Sequence, residues 1–189
     1  MSPRAGLDLT QIVLTAAQLA DTDGVEAVTL ASVAQKLGVR SPSLYNHVNG
    51  LPALRSHLVL HGLGQLNEAL REASGQRQGK EAVMDIANAY LSFARNHPGL
   101  YSLTLRSPSH EHQEHVKLGS ELVERLLTAL KPYELSQQEG IHAVRGLRSL
   151  LHGFASIEAE GGFGMPVEVN ESFRFALGRF LAGLEQSSL

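Results

Sequence analysis

The residues with the most chemistry to offer stand between Arg40 and His47, in the string RSPSLYNH. An arginine guanidinium can pair with the edge of guanine or with phosphate, an asparagine amide with adenine, and serine or tyrosine hydroxyls with phosphate oxygens. Arg40, Ser41, Ser43, Tyr45, Asn46 and His47 supply these groups together, while Leu44 and Val48 interrupt them with apolar side chains. The pattern predicts an element fixed by Leu44 and Val48 on its inner side and polar on its outer side. Such a surface suits the grooves of duplex DNA.

Two helices must position that surface. Thr29 can cap a helix running from Leu30 to Leu37, because its oxygen can accept one of the orphan N–H groups at a helix start. Leu30, Val33, Ala34 and Leu37 form its apolar face, and Gly38 can take the left-handed conformation that ends it. A second short helix is expected from Ser41, with Pro42 at the first helical position, where a missing N–H costs nothing. Lys36 and Arg40 flank the turn. The whole reads as a helix-turn-helix.

Here the chain resembles the TetR family of bacterial transcription regulators. The resemblance rests on the opening LADTDG, on Val33-Ala34 and Leu37-Gly38-Val39, and on Ser43-Leu44-Tyr45-Asn46-His47-Val48. It implies that Thr29, Pro42, Tyr45 and His47 touch the operator backbone or thymine methyls. Many relatives carry a lysine at the start of the next helix, where this chain reads Asn49-Gly50-Leu51-Pro52. Arg55, one turn later, is the candidate substitute. Further on, Leu151-His152-Gly153-Phe154, Glu158, Gly161-Gly162-Phe163 and Ser172-Phe173 resemble a TetR-type C-terminal domain marked by an apolar-His-Gly triplet. Such domains bind a small effector and form the homodimer.

Charge gives little help to DNA binding. The net charge is -3, and through residue 60 Arg4, Lys36, Arg40 and Arg55 balance Asp8, Asp21, Asp23 and Glu26. Binding is therefore expected to draw on helix N-termini as well as on side-chain charge. With no cysteine there is no disulfide, thiolate catalysis or zinc ribbon, which suits a reducing cytoplasm. No run approaches the roughly 18 apolar residues of a membrane span, and no secretory leader is expected.

The rest of the chain also follows the helical period, and the expected fold class is all-α. Ile12, Val13, Ala16 and Ala20 mark a first helix. A longer one starts near Pro52, with Leu54, Leu58, Leu66 and Leu70 inward. Helices follow around Val83–Ala94, after His97-Pro98-Gly99, and through Val116, Leu122, Val123, Leu126 and Leu127. Ser136 and Glu139 form a capping box opening a helix that carries Ile141, Val144, Leu147, Leu151, Phe154 and Ile157. Asn170 is the expected cap of the last helix. The expected division is a DNA-binding domain over residues 1–50 with a connecting helix over 52–74, then an effector-binding and dimerisation domain over 75–189.

In that second half Tyr90, Phe93, His97, Leu100, Tyr101, Leu126, Leu147, Leu151, His152 and Phe154 combine apolar bulk with a few polar tips. This is the make-up of a small-molecule cavity between helices, and equally of an ordinary core. The resemblance favours an effector site, for a hydrophobic or aromatic molecule. Gly146, Ser149, Gly153 and Ser156 recur at spacings of three or four, with Gly178 and Ala182 as counterparts on the last helix. A helix-interior glycine costs about 1 kcal/mol against alanine, so close helix approach is implied, either across a homodimer interface or within one subunit.

The run His110 to His115 invites a metal, but it does not fit HExxH and no cysteine accompanies it. No nucleophile elbow, phosphate-binding glycine loop or paired carboxylates occur, so the chain does not read as an enzyme and no cofactor is expected. The expected function is a ligand-responsive regulator, in this family usually a repressor. It would bind a palindromic double-stranded operator as a homodimer. Two alternatives are a helical protein-interaction module of the same fold and a metal-responsive regulator.

Overall fold

A computed structural model describes residues 7–105 and 113–185, and these are all-helical. The helices are α1 (Leu9–Asp23), α2 (Leu30–Leu37), α3 (Gly50–Ser74), α4 (Lys80–Asn96), α5 (Pro98–Thr104), α6 (Gln113–Ala129), α7 (Gln137–Ala159) and α8 (Val169–Glu185). Short 3₁₀ turns occupy Val25–Ala27, Ser41–Asn46 and Lys131–Tyr133.

Local chemistry sets several of the helix ends. The Asp8 carboxylate accepts from Gln11 N at 2.7 Å and starts α1. Thr29 Oγ1 accepts from Ser32 N at 3.0 Å, and Ser32 Oγ returns the bond by accepting from Thr29 N at 3.0 Å. Ser136 and Glu139 do the same at the head of α7, at 3.3 and 2.8 Å. Each such cap stabilises its helix by about 1 kcal/mol. Asn170 is not the cap of α8, which begins one residue earlier at Val169. Its Oδ1 instead accepts from Arg95 Nη2 at 2.7 Å, a long-range partner that outcompetes the local one.

The chain packs as two units, Met1–Gly64 with Asn96–His115, and Gln65–Arg95 with Val116–Leu189. α3 is shared between the units, and α5 belongs with the first. In the first unit Ile12, Ala16, Val33, Leu44, Leu54, Leu58 and Leu100 lie at 0–1% exposure and make one core. Burying each such leucine or isoleucine contributes about 2–3 kcal/mol.

The second unit centres on Ile86, Leu91, Leu147, Leu151, Phe173 and Leu177, all buried. α7 and α8 pack on each other, with Phe154 stacked on Phe163 at 5.3 Å and edge-on to Phe173 at 5.2 Å. Not every expected inward residue is inward. Ile141 and Ile157 on α7 are 41% and 46% exposed, and Val116 and Val123 on α6 are 36% and 40% exposed.

Candidate functional site

The short helix expected from Ser41 spans Ser41–Asn46 and is a 3₁₀ helix, with Pro42 in its first turn. Gly38, at φ 67, ends α2 and Gly50 opens α3, and the helix between them is only six residues long. So short a run favours the tighter i→i+3 pattern. His47 N donates to Leu44 O at 2.9 Å, and Ser43 N to Arg40 O at 2.9 Å. Three residues per turn put Pro42 and Tyr45 on one face, and both are exposed. Leu44 is 0% and Val48 3% exposed, whereas Tyr45 is 60% exposed. Arg40, Asn46 and His47 are exposed beside Tyr45, with Ser41 and Ser43 half-buried at the edge.

Thr29 and Lys36 are also exposed, so the expected phosphate-facing groups are all accessible. Arg55 differs. Its Nη2 lies 3.7 Å from Glu26 Oε2, and its Nε is buried with no hydrogen-bond partner. The residue expected to replace the missing lysine thus already faces a carboxylate.

A polar constellation that sequence reasoning did not single out lies in the same unit. Asp21, in the last turn of α1, accepts from Leu100 N at 2.9 Å through Oδ1, and its Oδ2 lies 2.9 Å from His97 Nδ1. Gly99 lies directly against α1: a Cβ there would stand 2.1 Å from Ala20 O. His61 of α3 joins the group, its imidazole pKa lowered first by burial, then by His97, and partly restored by Asp21. One signal was present in the sequence. An acid at a helix C-terminus opposes the helix dipole and needs another partner to be favourable there.

The residues expected at an effector cavity divide between the units. Tyr90, Phe93, Leu126, Leu147 and Leu151 are buried in the second, with His152 half-buried there. His97 and Tyr101 go with α5 into the first. Two cavities of the second unit lie elsewhere. One of about 330 Å³ runs between Ser74–Gln78 and α6. Another, of about 530 Å³, is lined by Leu127, Leu130, Leu135 and Ile141 among others.

In the small-residue seam, Gly146 is accounted for within one subunit, since a Cβ there would stand 2.9 Å from Phe180 Cε2. Gly153 and Gly178 have no heavy atom within 4 Å of that position. Ser149 is exposed, Ser156 and Ala182 half-buried. Of the histidine run, His110, Glu111 and His112 lie outside the described residues. Among the described residues no three His, Asp or Glu side chains gather as a metal would require, and no helix is long and apolar enough to cross a membrane.

A family model described as "Tetracyclin repressor-like, C-terminal domain" matches residues 83–180. An uncharacterized HTH-type transcriptional regulator of Bacillus subtilis, YobS, is 40% identical over 186 residues, covering 97% of this chain and 96% of the relative. Among solved structures, a protein of unknown function from Rhodococcus superposes with a TM-score of 0.81 at 23% identity, covering 98% of this chain and 100% of that one. The TetR family protein ActR of Streptomyces coelicolor, solved in complex with (S)-DNPA, superposes with a TM-score of 0.65 at 19% identity, covering 98% and 100%. At these identities the two structures speak for the fold.

Proposed function

Since this chain belongs to the TetR family of transcriptional regulators, we propose that it acts as a ligand-responsive repressor, binding a palindromic operator as a homodimer and released by a small hydrophobic or aromatic effector. That it is a DNA-binding regulator and not an enzyme follows from the family itself. The observation that carries the finer reading is the two-sidedness of Ser41–Asn46. Leu44 and Val48 anchor the segment, while Arg40, Tyr45, Asn46 and His47 project from it.

In this reading Thr29, Lys36, Arg40, Ser41, Pro42, Ser43, Tyr45, Asn46 and His47 meet the DNA, with Arg55 contributing once Glu26 gives way. Two such surfaces enter successive major grooves, about 34–36 Å apart or a multiple of that distance. Gly153, Gly178, Ser149, Ser156 and Ala182 on α7 and α8 form the dimer seam. The exposed Phe175 and Ile157 support an interface on these helices. The effector lies among Tyr90, Phe93, Leu126, Leu147, Leu151 and His152, and a related protein solved with a small molecule supports such a site. Because α3 is shared between the units, it is the candidate lever. An effector can act only through unequal affinity for the two states, typically about 1–3 kcal/mol of coupling.

A gel-shift with the DNA upstream of the protein's own coding region tests the reading. Retardation at low ionic strength that is lost in Tyr45→Ala/His47→Ala supports it. A purified dimer that leaves this DNA unshifted sinks it and favours the protein-interaction alternative. Unchanged operator affinity on adding chelator disposes of the metal-responsive one.

A further inference from the structure

Resting on the reading of this chain as an operator-binding regulator, we propose that Asp21 is a positioning residue for DNA binding. Its carboxylate latches α5 onto the end of α1 and so holds the turn from which α2 and the Ser41–Asn46 segment extend.

The latch has two arms and a fitted seat. Asp21 Oδ2 lies 2.9 Å from His97 Nδ1, and Oδ1 accepts from Leu100 N at 2.9 Å, tying residues 76 and 79 positions apart. The seat is Gly99, whose backbone leaves no room for any side chain against Ala20 and Asp21. α5 therefore has one register on α1. Leu100 and Tyr101, 1% and 7% exposed, complete the attachment with apolar burial.

From this point a continuous set of contacts leads to the reading surface. α5 touches the Val25–Ala27 turn. Ala27 O accepts from Ser32 Oγ at 2.8 Å, and Ser32 is the partner of Thr29 in the box that starts α2. α2 in turn packs on Ser41–Asn46. Every step is a hydrogen bond or a packed element inside one unit.

The arrangement is also suited to being opened. The Asp21 and His97 side chains are 15% and 39% exposed, so water can replace their bond without uncovering the core beneath. On either side of α5 the chain passes into the second unit, at Arg95–Asn96 and at His115–Val116. α4 is joined to α5 through His97 alone, so a shift of α4 reaches the latch through one residue of backbone.

The test uses the full chain with four variants, Asp21→Ala, Asp21→Asn, His97→Ala and the double Asp21→Ala/His97→Ala. Amide exchange is read by NMR at Leu100 and Ser32, and affinity is read on the DNA upstream of the coding region. Asp21→Ala is expected to speed exchange at both amides at least tenfold and to weaken DNA binding at least tenfold. Asp21→Asn keeps an acceptor for Leu100 N–H and is expected to recover most of both. His97→Ala is expected to fall between, and Asp21→Ala/His97→Ala to match Asp21→Ala alone.

Faster exchange at Leu100 with Ser32 unchanged overturns the proposal, as does wild-type affinity in a folded Asp21→Ala. Should that variant not fold, His97→Ala decides, and wild-type values at both Ser32 and the DNA overturn the latch. If the wild-type protein ignores DNA, the operator reading fails by itself. The exchange coupling between Leu100 and Ser32 still decides whether the latch holds the head.

Discussion

Leu44 and Tyr45 are adjacent in the chain and opposite in space, the first fully buried and the second 60% exposed. Their variants should separate stability from recognition. Leu44→Ala removes a core side chain and is expected to cost about 2–5 kcal/mol of stability. Tyr45→Ala should leave the melting temperature within a degree or two and weaken operator binding by about 1–3 kcal/mol, roughly five- to 150-fold. Thermal unfolding and fluorescence anisotropy, run side by side, check the pair. An equal loss of stability in both variants would contradict the two-sided reading of this segment.

Salt should act weakly on that binding. Lys36 and Arg40 are exposed beside the reading segment, while Arg55 faces Glu26 at 3.7 Å. Two phosphate contacts per head give a slope of log K against log salt of about -4 for a dimer. Glu26→Gln frees Arg55 and should steepen the slope by about one per head. A wild-type slope near -8 would show that phosphate contacts carry far more of the affinity than these residues supply.

Acid should destabilise the first unit through His61. Its folded-state pKa is lowered by burial and by His97, so the unfolded chain binds the proton more readily. Above the ordinary imidazole value, about 6.5, both states are neutral and nothing is lost. As pH falls through that value the unfolded state gains protons first, and stability declines until the folded imidazole also titrates. Urea titrations at pH 7.5 and 5.5 should show a smaller drop for His61→Gln than for wild type. An identical drop in both would remove His61 from the account.

Glu139 carries the opposite sign. Its pKa is lowered by the Ser136 side chain and backbone N–H, so the α7 capping box contributes fully above the ordinary carboxylate range and is lost as pH falls through the lowered value. Glu139→Gln should flatten the acid limb of stability below about pH 4.5 while leaving neutral stability almost unchanged. A steeper acid limb in the variant would contradict the assignment.

How much was legible in the sequence depended on range. The Thr29 cap, the Gly38 stop and the Ser136–Glu139 box were readable, because each is settled within a few residues. The inward leucines of α3 followed from their period alone, and all four are buried. The allegiance of α5 was not readable. It depends on Asp21 meeting His97 and Leu100 across more than seventy positions, and His97-Pro98-Gly99 reads locally as a stop. Asn170 shows the same limit, since Arg95 claims the amide that looked like a cap. The 3₁₀ form of Ser41–Asn46 was hidden for another reason: its residue types suit either kind of helix.

Two glycines of one seam should behave differently. A Cβ on Gly146 would meet the Phe180 ring edge at 2.9 Å, inside the same subunit. Gly146→Ala is therefore expected to strain the α7–α8 packing and cost about 1–3 kcal/mol of stability. Gly153 has open space where a Cβ would stand, so a side chain can leave the backbone there without the clash that Gly146 would meet. If α7 and α8 form the dimer seam, that added side chain projects into the partner helix and the penalty falls on association. Analytical ultracentrifugation at micromolar and nanomolar concentration should then show Gly153→Leu dissociating at concentrations where wild type and Gly146→Ala stay paired. Circular dichroism should show Gly153→Leu keeping its helices. A Gly153→Leu protein that remains a dimer throughout would move the interface off this face of α7 and leave Gly146 a purely internal contact.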